Sequence, residues 1–167
     1  MSDPILIRPF APGDEEAFRD INLEWIRRYF IVEAKDRRVL DRPQETILDT
    51  GGAILMAVEG VEAVGCVALI VMEDGTLELA KMGVRPKVQG RGLGRRLIAA
   101  ALDEARAIGA RRIYLETSSL LKVARGLYAD AGFTSLVDAP PSPYARADVH
   151  MELMLEGRDR PGPTVVG

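Results

Sequence analysis

Apolar and polar residues alternate along this chain with two different periods, and the changes between them outline a fold. Ile5-Leu6-Ile7-Arg8 is a short apolar run closed by Pro9, which predicts a first strand. Pro12-Gly13-Asp14 reads as a turn and helix start, with Asp14 a candidate cap and Glu15 and Glu16 suited to the positive end of the helix dipole. Phe18, Ile21, Trp25, Ile26, Tyr29 and Phe30 then recur three or four residues apart, as one buried helical face does. Asp41-Arg42-Pro43 begins a second, short helix, with Pro43 at an early position that needs no N–H, and Gly51-Gly52 ends it. Three β-like segments follow at residues 53–59, 62–72 and 76–84. Gly60 separates the first two and Glu73-Asp74-Gly75 the last two; both links are hairpin-sized, so an antiparallel meander is expected.

The helical period returns with Leu93, Leu97, Ile98, Ala101, Ala105 and Ile108, and Gly109 is the expected stop. Residues 112–117 form a strand with a polar end. Ser118 or Ser119 can cap a further helix whose inner face holds Leu120, Ala124, Leu127 and Tyr128 and which Gly132 ends. Residues 133–137 and 150–155 read as two last strands, with Pro140, Pro141 and Pro143 in the loop between them. The result is a mixed α+β protein: about seven mostly antiparallel strands, about four helices on the sheet faces, and a parallel strand–helix–strand crossover over 76–117. Residues 1–156 are expected to form a single domain and the Gly-, Pro- and Arg-rich stretch 157–167 a flexible tail.

Composition narrows the class. The 167 residues are 47% hydrophobic and 28% charged, enough for a globular core, and the net charge of -3 offers no general attraction for nucleic acid. Cys66 is the single cysteine, which excludes an intramolecular disulfide and fits a cytosolic setting. The opening MSDPILIRPF lacks a basic segment followed by a long apolar run, and no apolar run is long enough to span a bilayer, so a cytoplasmic protein without a membrane partner is expected.

One stretch departs from ordinary helix grammar. Residues 88–97, VQGRGLGRRL, place Gly90, Gly92 and Gly94 among Arg91, Arg95 and Arg96 where the long helix begins. Arginine at the positive end of a helix costs roughly 0.3–1 kcal/mol, a sign that a bound anion reverses. The unpaired N–H groups of a helix N-terminus suit a phosphate, and glycines let the backbone approach it. Lys87 can join the same positive rim. A tight strand-to-helix turn with solvated arginines is the plainer alternative. The stretch is neither a dinucleotide fingerprint, since Arg95 stands where a glycine is needed, nor a Walker A loop.

Gln89-Gly90-Arg91-Gly92-Leu93-Gly94 resembles the pyrophosphate loop of the GNAT superfamily of N-acetyltransferases. Glu78-Leu79-Ala80-Lys81-Met82-Gly83-Val84 is similar to that family's fourth strand, RIYLETSS to its fifth, and Leu127-Tyr128-Ala129-Asp130-Ala131-Gly132-Phe133 to the end of its fourth helix. The motifs come in family order, and the resemblance covers residues 5–155. It implies the acyl-CoA N-acyltransferase fold, acetyl-CoA as co-substrate and no metal. It implies that Met82, Gly83 and Val84 offer backbone to the pantetheine arm, with Gly83 leaving room for it; a glycine here could equally mark a bulge that bends the strand, and the two readings are compatible. Gln89, Gly90, Arg91, Gly92, Leu93, Gly94 and Arg95 would hold the pyrophosphate.

Three residues receive catalytic roles from the same resemblance: Tyr128 as general acid, Glu78 as the base for the amine, and the Met82 N–H as the donor that polarises the acetyl carbonyl. The alternatives are a buried ring for Tyr128 and, for Glu78, a solvated strand glutamate or a partner for Lys81 or an arginine. Glu116 is a second candidate carboxylate. Leu121 stands where many members carry a pantetheine-binding Asn, leaving Ser118 or Ser119 as replacements. Trp25, Tyr29, Phe30, Glu33 and Tyr144 are candidates for the acceptor site, with core packing the competing role of Trp25 and Tyr29. His150 and Cys66 are expected to be structural. The implied activity is acetyl transfer to a primary amine of a small molecule or peptide, with assembly as a homodimer left open. A non-catalytic acyl-CoA sensor and a plain scaffold remain alternatives.

Overall fold

In the computed structural model, which describes residues 3–155, the alternating segments become a seven-stranded sheet of order β1-β2-β3-β4-β5-β7-β6. The strands are β1 (Ile5–Pro9), β2 (Ala53–Glu59), β3 (Glu62–Val71), β4 (Thr76–Val84), β5 (Arg112–Thr117), β6 (Thr134–Ser135) and β7 (Val149–Met154). The meander forms as expected: β2, β3 and β4 are consecutive antiparallel neighbours. The β3–β4 turn carries Asp74 and Gly75 at φ 58° and 71°, the geometry that closes tight hairpins. The long helix α3 (Leu93–Ile108) then returns the chain so that β5 lies parallel to β4.

Alternation along the strands divides the interior in two. Leu77 and Leu79 of β4, Ile113 and Leu115 of β5 and Met151 of β7 face α3 and α4 (Lys122–Asp130). Ile54, Met56, Cys66 and Ala68 face α1 (Glu15–Tyr29), whose Phe18, Ile21 and Ile26 are almost wholly buried. Cys66 is thus a core residue, and burial pushes its thiol up to about 12.

Several local expectations are corrected. The chain contains an α2 (Ala34–Asp41) that apolar periodicity does not reveal, and the helix expected from Asp41 is a π-helical turn, Gln44–Leu48. Pro43 explains the break: the residue before a proline is pushed out of the α region, and Arg42 sits at φ -136°, ψ 55°. Asp14 does not cap α1 with its side chain but pairs with Arg8 at 2.6 Å and accepts from the Ala11 N–H. Neither serine caps α4, whose first flanking residue is Leu121, and Leu120 is exposed rather than on its inner face. Tyr29 is 52% exposed, outside the buried face of α1. The strand expected over 133–137 is only Thr134–Ser135. The tail 157–167 lies outside the described residues.

Two features of β4 create the site. Pairing with β5 stops at Glu78 opposite Tyr114, after which the two strands part. On the other side, Cys66 pairs with Gly83 but Ala68 with Ala80, so Lys81 and Met82 together oppose Val67 in a β-bulge. Lys81 takes φ 52°, a conformation costly for a residue with a Cβ.

Candidate active site

The parting of β4 and β5 opens a cleft of about 760 Å³, floored by residues 78–84 and walled by α4. At its first end, Gly90 and Gly92 have φ 80° and 77°, and Gly92 precedes α3 without a side-chain cap. The Arg96 N–H is the one that first closes onto Gly92 O, at 3.3 Å, so the preceding amides stand at an open helix start. Gln89, Gly90, Gly92, Leu93, Gly94 and Arg95 border the cleft here.

The cations expected on this positive rim each have a protein partner. Arg95 reaches Asp130 at 2.7 Å and Arg91 reaches Glu59 at 3.1 Å, while Lys87 pairs with Glu62. Arg96 turns back to donate to Ile5 O at 2.8 Å. Arg91 therefore lies outside the lining, and Arg95 is the loop arginine that remains beside the cleft.

The middle of the cleft holds the candidate catalytic groups. Burial, reinforced by the charge of Glu116 and opposed by Lys81, pushes the Glu78 carboxyl up to about 7. Burial likewise raises the Tyr128 hydroxyl to about 12, so it keeps its proton at neutral pH. Tyr128 packs edge-on against Phe133, so it is both the buried ring and the cleft residue foreseen for it. Glu116 borders the cleft, but its oxygens are engaged: one accepts from the Tyr114 hydroxyl at 2.8 Å, the other from the Ser142 hydroxyl at 2.6 Å. His150 Nδ1 lies 2.6 Å from the same Tyr114 oxygen, a structural contact.

Met82, Gly83 and Val84 line the floor, where Gly83 is closely packed. A Cβ there would sit 2.8 Å from Ile21 and 2.9 Å from Trp25, so the missing side chain makes room for α1. Ser118 lines the cleft and accepts from the Leu120 N–H at 3.1 Å. Ser119 does not line it; its N–H and hydroxyl are bound to Asp148. Leu121 offers an apolar side chain to the wall.

The far end is built from three segments distant in sequence. Trp25, Tyr29 and Phe30 come from α1 and its end, Lys81 from the bulge, and Tyr144 and Arg146 from the loop before β7. Asp36 of α2, with no exposed side-chain surface, joins them: Lys81 Nζ donates to it at 2.8 Å and Arg146 at 2.9 and 2.6 Å. Burial alone would raise this carboxyl, but those bonds outweigh it and hold it at about 2. Glu33 lies behind the wall rather than in it: it closes a capping box with Asp36 and accepts from the Ala145 N–H. Lys81, Asp36 and Arg146 were not anticipated. The available signal was Lys81 itself, which strict alternation from Leu77 and Leu79 would have placed in the apolar core and which therefore called for a bulge.

Comparison with known proteins agrees with this architecture. The family model for the acetyltransferase (GNAT) family matches residues 19–133. The IAA acetyltransferase of Azospirillum brasilense is 32% identical over 125 residues, covering 73% of this chain and 79% of that protein. The uncharacterized N-acetyltransferase YjgM of Escherichia coli K12 is 41% identical over 69 residues, so the match spans only 41% of either protein. The structure of yncA, a putative acetyltransferase from Salmonella typhimurium with acetyl-CoA, superposes with a TM-score of 0.70 at 23% identity, covering 91% of this chain and 94% of that one. No described helix is long and apolar enough to cross a membrane. With the forked sheet, the glycine loop at the start of α3 and a family match across most of the chain, this protein belongs to the acetyltransferase (GNAT) family.

Proposed function

We propose that the protein moves the acetyl group of acetyl-CoA to a primary amine of a small molecule or peptide by direct attack within one ternary complex. The observation that carries this reading is Glu78: a carboxyl raised to about 7 by burial, in the same cleft as a neutral tyrosine.

The chain's groups fit acetyl-CoA as co-substrate. The open amides before α3, with Gly90 and Gly92 at positive φ, suit a pyrophosphate, and the β4 backbone exposed beyond Glu78 suits the amides of a pantetheine arm. A Cβ at Gly94 would lie 2.9 Å from Leu127, so the loop also sets how closely α3 approaches α4. Acetyl-CoA supplies an activated acetyl thioester. Glu78 takes a proton from the acceptor's ammonium, freeing the lone pair that attacks the thioester carbon; its tuning near neutrality balances basicity against availability. The N–H of Met82, one of the two bulge residues, stabilises the negative charge that gathers on the acetyl oxygen. Tyr128 gives its proton to the departing thiolate as the C–S bond breaks, and the second proton lost from the acylated nitrogen passes to solvent, from which the tyrosine is reprotonated.

The test is acetyl-CoA turnover over a panel of primary amines, read by free thiol release, with CoA-dependent melting measured in parallel. Turnover on at least one amine is expected, and Tyr128→Phe should lower kcat about tenfold or more with the melting temperature retained. A CoA-stabilised protein that turns over no amine would make it a binding module instead.

A further inference from the structure

The acceptor end of the cleft has an uneven distribution of charge. Asp36 and Glu33 stand behind its wall, whereas Lys81 and Arg146 form the wall itself. Asp36 is saturated: its two oxygens accept from Arg146 Nη1 and Nη2, from Lys81 Nζ and from the Glu33 N–H. It has no lone pair to spare and no surface to present. The cations are in the opposite condition. A lysine ammonium has three donors, and Lys81 spends one on Asp36 and points a second at the Tyr144 hydroxyl 3.4 Å away. A guanidinium has five, and Arg146 spends three on Asp36 and Glu33. An acceptor entering here meets hydrogen-bond donors on two fixed cations, while Glu78 waits three residues back along the same strand.

These cations are also held in place before anything binds. The Arg146 guanidinium lies 4.7 Å from the Tyr144 ring centre, 5.8 Å from that of Phe30 and 6.0 Å from that of Trp25. Lys81 Nζ lies 4.7 Å from the same Tyr144 ring, and its backbone is fixed in the bulge. Lys81 and Arg146 both touch the same Asp36 oxygen, so one further carboxylate can reach both. Such preorganisation removes ordering cost from binding. It also explains why a lysine occupies a strained backbone position in the floor of the cleft.

We propose that the acceptor carries a carboxylate as well as its amine, and that Lys81 and Arg146 receive the carboxylate while Glu78 receives the amine: the substrate class is a small amino acid. Two carboxylates already balance the two cations, so an incoming carboxylate is held by their remaining N–H donors rather than by surplus positive charge. A phosphate dianion would add a second charge facing Glu78 and Glu116. A strand rises about 3.3 Å per residue, so the backbones of Glu78 and Lys81 lie within roughly 10 Å and both residues border the same cleft.

This inference rests on the acetyltransferase reading, and the experiment separates the two. Amino acids are assayed with acetyl-CoA, each beside the amine left when its carboxylate is removed and beside its carboxamide. The expected result is a kcat/KM at least about tenfold higher for the acid, expressed mostly in KM, with that ratio falling towards one in Arg146→Gln and in Lys81→Gln. Arg146→Lys, which keeps the charge, should retain part of the preference, so a poorly folding glutamine variant does not stop the test. Equal or better use of the decarboxylated amine, or preference for a phosphorylated amine, overturns the proposal while leaving the acetyltransferase intact. Binding is read separately: an N-acetyl amino acid, which keeps the carboxylate but cannot react, should raise the melting temperature of the CoA-loaded protein and fail to do so for Arg146→Gln. Absence of turnover on every amine, with that stabilisation present, overturns the acetyltransferase reading and keeps the carboxylate seat; absence of both overturns the two together.

Discussion

The two ends of the cleft are made on different principles. The loop before α3 is contiguous in sequence, and its nearby arginines are held in solvent-exposed pairs such as Arg95 with Asp130. The acceptor end is assembled from α1, α2, the β4 bulge and the loop before β7, and a single carboxylate with no exposure ties Lys81 and Arg146 together. An exposed pair contributes about 0–1 kcal/mol, whereas breaking a buried one leaves charges without a partner and costs several. One end is therefore locally specified and tolerant, the other globally specified and fragile.

The contrast can be broken first at Asp36. Asp36→Ala strands two buried cations, and the expected loss is about 3–5 kcal/mol of stability, a fall in melting temperature on the order of 10 °C, measured by calorimetry at pH 7. The sign of its pH dependence follows from a carboxyl held below its ordinary value. The wild-type contribution is complete above about pH 4 and fades as pH falls towards 2, so the two proteins converge in acid. A wild-type-like melting curve for the variant at pH 7 would erase the difference between the two ends.

Next comes Glu78, whose effects on rate and stability should oppose each other. Glu78→Gln is expected to lower kcat/KM by about 100-fold or more and to abolish the rise in rate as pH increases through about 7. Because the folded protein favours the protonated form, ionisation costs stability as pH rises from the ordinary carboxyl range to about 7. Above that pH the glutamine variant should melt at or above the wild-type temperature, by about 2–4 °C, while at pH 4 the two coincide. A retained alkaline rise in rate would assign the base elsewhere.

The loop should respond in binding rather than in folding. Gly92→Asp places a negative charge beside the open amides at φ 77°, a region aspartate tolerates better than most residues. The expected outcome is a roughly tenfold higher KM for acetyl-CoA with a melting temperature within a few degrees of wild type. An unchanged KM would remove the loop from the cofactor site. The smallest effect belongs to Arg91→Ala, which deletes an exposed partner of Glu59 and should change stability by less than about 1 kcal/mol in a denaturant titration. A loss as large as that of Asp36→Ala would show that both ends are built alike.

Legibility in the sequence follows the same division. The strands of the meander, the helix begun by Leu93 and stopped at Gly109, and the Gly90–Gly94 turn could be read because each rests on a local rule of period or backbone freedom. Helix α2 escaped because few of its positions are apolar; its order comes from the reciprocal cap of Glu33 and Asp36 and from Asp36's bonds to Lys81 and Arg146. Glu33, Arg91 and Ser119 were sensible site candidates by position, yet none lines the cleft: Glu33 is turned to Ala145 and Arg146, Arg91 to Glu59 and Ser119 to Asp148. Side-chain direction at chain reversals depends on what lies opposite, which residue spacing does not record.

By itself, then, the sequence determined the order of the strands, the two long helices and the glycine turn at the start of α3, because hydrophobic period and glycine content act within a few residues. Only the tertiary structure decided that β4 leaves β5 at Glu78, that the bulge turns Lys81 out of the core, and that Asp36 gathers it with Arg146 across the chain. Those outcomes depend on charges removed from water, whose cost appears only when the chain has closed around them.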